Sequence, residues 1–129
     1  MQKINSVFII DDDKIYTYVL SKQFKNLGYM KAMTTFNHGA EALTALKSII
    51  ALDGDLPDII LLDINMPVMD GWQFLDALSS LQFSKPVTIH MVSSSIDSAD
   101  YEKAASYNAV TNFYNKPISQ KNLGEILDL

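Results

Sequence analysis

Ile59, Ile60, Leu61 and Leu62 form an unbroken apolar run that ends in an acid, Asp63, and then in a turn containing Pro67, Asp70 and Gly71. A short continuous run suits a strand buried on both faces, the kind found in parallel sheets. Such a strand needs covering layers above and below it. In open sheets of this kind, function gathers outside the carboxyl ends of the strands. Asp63 sits at such an end, so the chain is read outward from it.

The rest of the chain supplies the layers. Val7–Ile10 is β-branched and aromatic, predicts a first buried strand, and stops at Asp11-Asp12-Asp13. Ile15, Val19, Leu20, Phe24 and Leu27 then recur at helical spacing, and Gly28 closes that helix. Residues 31–36 predict a second strand and residues 39–50 a helix with Ala42, Leu43, Leu46, Ile49 and Ile50 inward. After the Asp63 strand, residues 72–81 predict a third helix. A fourth strand over 87–92 runs into Ser93-Ser94-Ser95. Asp97 can cap a helix to about Tyr107. Residues 111–114 predict a fifth strand ending at Asn115-Lys116-Pro117, and Ser119 caps a last helix. Strand and helix alternate five times, which argues for a doubly wound α/β parallel sheet with helices on both faces. The expectation is one domain over residues 1–129, with no linker and no output domain at either end.

Several classes fall away. The formal net charge is −5 and no Lys/Arg run interrupts it, so no nucleic-acid surface is expected. There is no cysteine, which removes disulfides and thiolate metal sites. No apolar run approaches the roughly 18 residues of a membrane span. Nor does the N-terminus read as a signal peptide. A cytoplasmic protein is the default expectation.

The strand ends carry the chemistry. The first strand offers Asp11 and Asp12, the third Asp63, the fourth Ser93 and its neighbours, and the fifth Lys116; the second offers only Asn37 and His38. If the first and third strands are neighbours, three carboxylates converge. Two unit charges ~4 Å apart repel by about 4 kcal/mol at an effective dielectric of ~20. A hard divalent cation relieves that, and an all-oxygen donor set without His or Cys suits Mg²⁺. An anion arriving at Asp63 would meet a metal, an ammonium and a hydroxyl. These are the parts phosphoryl transfer needs, and a carboxylate can itself be the nucleophile. Taken singly, each feature has a plainer reading: a helix cap, a turn, a solvated lysine. Their combination carries the argument. Met66, Met69 and Trp72 read as packing, and His38 and His90 lack a nucleophile partner nearby in sequence.

In order and spacing, Asp11-Asp12 after an apolar strand, Asp63 followed by Ile64-Asn65-Met66-Pro67-Val68-Met69-Asp70-Gly71, Ser93-Ser94, and Lys116-Pro117 resemble the receiver domain of two-component response regulators. The resemblance spans essentially the whole chain. It implies a flavodoxin-like fold of five strands in the order 2-1-3-4-5 with five helices. It implies that Asp63 accepts a phosphoryl group from a phosphohistidine on a sensor histidine kinase or histidine phosphotransfer protein, with Mg²⁺, and switches a surface read by a downstream target protein. Carried over residue by residue, Asp12 would bind the metal directly and Asp11 mainly through water, with Asp63 and the backbone carbonyl of Asn65 completing the ligands. Ser93 would be the switch hydroxyl, with Ser94 the alternative. Lys116 would pair with a phosphoryl oxygen, and its bond to Pro117 would be cis. Phe113 would be the switch aromatic, in place of the commoner Tyr. Asn65 and Ser95 would flank the water that hydrolyses the acyl phosphate. The readout surface would comprise residues 97–107, residues 111–114 and the last helix. The interval from Ser93 to Lys116 is slightly longer than in the commonest members. Either the turn over residues 107–110 carries an insertion, or Ser94 is the switch hydroxyl.

Three rivals share the fold or the chemistry. Haloacid dehalogenase-like phosphatases also use an aspartyl phosphate, but place a second acid two residues on, where this chain has Asn65. A flavin phosphate would need a donor-rich loop after the first strand, where Asp11-Asp12-Asp13 would repel it. The remaining alternative is a phosphorylation-independent, receiver-like interaction module. The expectation is a signalling phosphoacceptor rather than an enzyme.

Overall fold

The computed structural model describes residues 4–29, 31–94 and 97–127. In chain order the elements are β1 (Ser6–Ile10), α1 (Lys14–Asn26), β2 (Ala32–Phe36), α2 (Gly39–Ala51), β3 (Ile59–Asp63), α3 (Gly71–Leu78), β4 (Thr88–Ser93), α4 (Ser98–Ala105), β5 (Val110–Asn115) and α5 (Gln120–Leu127). The strands form one sheet in the order β2-β1-β3-β4-β5. Every pairing is parallel. This is the flavodoxin-like architecture, and it makes β1 and β3 neighbours, with Ile10 opposite Leu62.

Alternation along the central strands divides the core in two. Phe8, Ile10, Ile60 and Leu62 face α2, α3 and Ala104 of α4. Val7, Ile9, Ile59 and Leu61 face Leu20 and Phe24 of α1 and Leu123, Ile126 and Leu127 of α5. Ile59–Leu62 are all buried, each burial stabilising by roughly 1.5–3 kcal/mol. The apolar run that ends in Asp63 is therefore the rigid centre of the molecule.

On α1 the inward stripe differs from the one expected. Leu20 and Phe24 are buried, but Ile15 is 80% exposed and Val19 44%. Tyr16 takes the inward place at the start of the helix and packs with the α1/α5 core. The spacing 16-20-24 and the spacing 15-19 are both helical; only one faces the sheet. Tyr18 is exposed beside Ile15 and Val19, so α1 presents an apolar outer face.

The caps expected from sequence are in place. Asp13 Oδ1 accepts the Tyr16 N–H at 3.0 Å. Asp97 accepts the Asp100 N–H at 2.9 Å, and Ser119 Oγ accepts the Asn122 N–H at 3.1 Å. Gly28, at φ 89°, adopts the left-handed conformation that closes α1. α3 is shorter than expected and ends at Leu78 rather than Leu81. The hydroxyls of Ser79 and Ser80 donate to the carbonyls of Asp76 and Ala77 at 2.6 and 2.9 Å. These side chains satisfy the last turn locally, and the chain leaves the helix axis there.

α3 and α4 meet through one cluster. Trp72 stacks on Tyr107 with ring centroids 5.7 Å apart. Lys103 Nζ lies 4.9 Å from the Trp72 ring. Tyr107 donates its hydroxyl to Asp76 Oδ1 at 2.9 Å. Along α4, Ala104 is the one buried residue, and Tyr101 packs against Phe113 of β5 at 5.1 Å. α4 and the turn after it are therefore held mostly by aromatic contacts rather than by a buried stripe. Among the described residues no helix is long and apolar enough to cross a membrane.

Candidate functional site

The carboxyl ends of β1 and β3 meet where the strand order reverses, and the acids sit there. Asp11 follows β1 directly, and its N–H donates to the Phe36 carbonyl at 3.0 Å. Its Oδ1 accepts the Asp13 N–H at 2.9 Å. Asp63 is the last residue of β3 and is 5% exposed. Asp12 is exposed at the rim. One carboxylate oxygen from each of Asp11, Asp12 and Asp63 lies within 4.8 Å of the others.

Lys116 reaches into this cluster from the end of β5. Its Nζ lies 2.7 Å from Asp11 Oδ2 and 3.5 Å from Asp63 Oδ1. The Lys116–Pro117 bond is cis, and the Lys116 N–H donates to the Ser93 carbonyl at 3.0 Å. Burial alone would lower the Lys116 ammonium, but Asp11 and Asp63 together hold it above its ordinary range. Burial pushes the Asp63 carboxyl up to about 7. The Asp11 charge adds to this and Lys116 opposes it. Asp11 is also raised by burial, against its bond to Lys116. A buried carboxylate cluster with one ammonium is short of positive charge. Three all-oxygen donors at this spacing fit a hard divalent cation that would supply it.

Ser93 closes β4 and is fully buried, whereas Ser94 is exposed. Asn65 Nδ2 donates to Ser93 Oγ at 3.4 Å. The pairing of β4 with β5 carries one irregularity. Ile89 pairs with Val110 but His90 with Asn112, so Thr111 bulges out of register. Phe113 is half-buried opposite Met91, on the α4 side of the sheet. Ser95 lies outside the described residues. His38 is the residue before α2 and lies 3.6 Å from Glu41. His90 is buried in β4 against Tyr114.

The loop after Asp63 is wound tightly. The Met69 N–H donates to the Pro67 carbonyl at 2.7 Å, a turn centred on Val68 at φ 70°. Asp70 and Gln73 form a reciprocal capping box that starts α3. Gly71 is the close approach in this loop. A Cβ there would sit 2.6 Å from the Asp63 carbonyl oxygen and 2.9 Å from Ile64 Cα. Gly71→Ala is therefore expected to destabilise the fold by about 2 kcal/mol and to shift the backbone that carries Asp63. Urea unfolding checks this; an unchanged midpoint would show that α3 can move away freely.

A family model for the response regulator receiver domain matches residues 7–128. The chain belongs to that family. Among curated relatives, the DNA-binding transcriptional regulator NtrC of Escherichia coli (strain K12) is 37% identical over 93 residues, covering 72% of this chain and 18% of that protein. The chain thus spans less than a fifth of the length of that relative. Among solved structures, a two-component response regulator from Cytophaga hutchinsonii superposes with a TM-score of 0.86 at 27% identity, covering 98% of this chain and 96% of that one. A response regulator receiver protein from Dyadobacter fermentans gives 0.82 at 28% identity, covering 95% and 94%.

Sequence reading brought Asp11, Asp12, Asp63, Ser93 and Lys116 to one place; the structure of this receiver domain clusters the three acids with Lys116 and joins Ser93 to them through its carbonyl, which accepts the Lys116 N–H. Sequence reading missed one residue at the site, Tyr16, and one structural tie at the opposite end of the sheet, Asp58. Tyr16 lies with its ring 4.9 Å from Lys116 Nζ. Asp58, at the far end of β3, accepts the Asn5 N–H at 2.7 Å and pairs with Lys85 at 2.8 Å, so it ties the starts of β1 and β3 together. The signal for Tyr16 was its place four residues before Leu20. For Asp58 there was none, because its partners come from two distant segments.

Proposed function

We propose that this chain is the phospho-accepting receiver of a two-component or phosphorelay pathway, and that Asp63 takes the phosphoryl group. The observation that carries the reading is the placement of Asp63: buried at the end of the central strand, clustered with Asp11 and Asp12, and touched by Lys116. A carboxylate oxygen of Asp63 attacks phosphorus on a phosphohistidine. A P–O bond forms, the P–N bond breaks, and its electron pair returns to the imidazole. Asp12, Asp63 and the Asn65 carbonyl, with Asp11 mainly through water, would hold Mg²⁺, which would supply positive charge to the phosphoryl oxygens. Lys116 pairs with one phosphoryl oxygen and Ser93 donates to another. That draws Ser93 away from Asn65 and biases Phe113 and α4 beside it.

The donor is a sensor histidine kinase or a histidine phosphotransfer protein. The apolar outer face of α1, directly after the acidic loop, suits its docking. The readout is a protein contact at α4, β5 and α5, where a groove of about 260 Å³ lies between Tyr101, Ala104, Thr111 and Phe113. In this reading the chain is a signalling phosphoacceptor in the cytoplasm, not an enzyme acting on a free substrate.

Intact-mass spectrometry tests the reading directly. Wild-type protein with Mg²⁺ and acetyl phosphate, or with a phosphohistidine protein as donor, is expected to gain one phosphoryl group. Asp63→Asn, or EDTA, is expected to abolish the gain. Failure with both kinds of donor would overturn the reading in favour of a phosphate-independent interaction module.

A further inference from the structure

Lys116 has a third neighbour besides the two carboxylates. The Tyr16 ring centroid lies 4.9 Å from Lys116 Nζ, within the distance at which a ring face attracts an ammonium. The same residue reaches past the cis bond. Its hydroxyl oxygen accepts the Ile118 N–H at 3.4 Å. Tyr16 is itself fixed, because its N–H is held by the Asp13 cap at 3.0 Å and its ring packs with the α1/α5 core. One side chain therefore touches the charged head of Lys116 and the backbone two residues beyond it, and ties both to the loop that carries Asp11.

A lysine head on four rotatable bonds loses much freedom when fixed. At 12% side-chain exposure it is also largely out of water, where ring–ammonium attraction is stronger. We infer that Tyr16 is a positioning residue for Lys116: its ring keeps the ammonium at the Asp11–Asp63 pair, and its hydroxyl meets the β5–α5 loop only at 3.4 Å, so the ring carries the effect. This rests on the proposed role of Asp63 for its functional consequence. Its structural content stands alone. With the ring in place, the ammonium is already beside the phosphoacceptor when a donor arrives. Without it, Lys116 spends time in solvent.

The test combines a spectrum with a rate. In ¹³C-lysine-labelled protein, the Lys116 ε-methylene, assigned by its loss in Lys116→Ala, should be shifted upfield by the Tyr16 ring. The shift should persist in Tyr16→Phe and vanish in Tyr16→Leu. Phosphoryl uptake from acetyl phosphate should stay within about twofold of wild type in Tyr16→Phe and fall about fivefold in Tyr16→Leu. In a Lys116→Ala background, Tyr16→Leu should cost nothing further. An unshifted Lys116 resonance in the wild type overturns the inference. So does an equal loss of rate from Tyr16→Leu with and without Lys116, which would mark Tyr16 as merely structural. If Tyr16→Leu does not fold, the wild-type and Tyr16→Phe spectra still decide. If the wild type takes no phosphoryl group at all, the reading of Asp63 falls, and the resonance alone settles Tyr16.

Discussion

Metal-free Asp63→Asn protein is expected to be more stable than wild type at pH 8, by on the order of 4 kcal/mol, with the difference fading to near zero by pH 4. The folded protein holds the Asp63 proton up to about pH 7, against an ordinary 3.8, because burial and then Asp11 disfavour the charge. Between those values the folded state keeps a proton that the unfolded chain releases. Stability from this group is therefore greatest in acid and is lost as pH rises through 7. Asparagine is close in shape to the protonated acid, so it keeps the favourable state at every pH. Asp11, also raised, contributes with the same sign. Urea unfolding in EDTA from pH 4 to 8 measures the effect. Equal stabilities at pH 8 would mean that Asp63 is not strained by its surroundings. Added Mg²⁺ should then stabilise the wild type and not the variant, since only the wild type offers the full donor set.

The second large effect has the opposite sign. His90 is buried in β4 and held down to about 4, against an ordinary 6.5, because burial disfavours its charged form. Its Nδ1 is buried without a hydrogen-bond partner. From pH 6.5 down to about 4 the unfolded chain takes up a proton that the folded state refuses. Stability from His90 is thus fully present above pH 6.5 and is lost in acid, by about 3 kcal/mol. His90→Leu removes that loss. The two groups oppose each other over nearly the same range, so the metal-free wild type should vary little between pH 4 and 6.5. Asp63→Asn should weaken in acid, His90→Leu should strengthen in acid, and the double variant should be flat again. An acid-labile His90→Leu protein would contradict the assignment.

The parts of the fold that were legible in the sequence are those set by local pattern. The run Ile59–Leu62 suits a strand covered on both faces, and the acids and the lysine were placed by the strands that each of them ends. Where two local patterns compete, the sequence is silent. Ile15–Val19 and Tyr16–Leu20–Phe24 are equally good helical stripes. The choice falls to what the sheet and Lys116 offer, neither of which is near in sequence. The longer interval before Lys116 pointed either to an insertion in the turn over residues 107–110 or to Ser94 as the switch hydroxyl, and local pattern does not choose between them. The strand pairing breaks register at Thr111, and Ser93 is buried at the end of β4, two facts that depend on strand contacts and not on local pattern. The end of α3 depends on two serine hydroxyls turning back on their own helix, a contest that composition does not decide. The burial of His90 depends on where β4 sits in the sheet, since an edge strand with the same sequence would leave it wet.

The junction of α3 and α4 makes this chain its own optical gauge. Trp72 is the only tryptophan in the sequence, and it sits against Tyr107 and the ammonium of Lys103. Both neighbours belong to the segment that carries the proposed readout surface, while the indole belongs to the helix that starts just beyond the Asp63 loop. Indole emission depends on the rings and charges beside it. A displacement of α4 is therefore expected to alter the colour and intensity of the light from one residue, with no label attached, and under the proposed function would report the switch where it leaves the core.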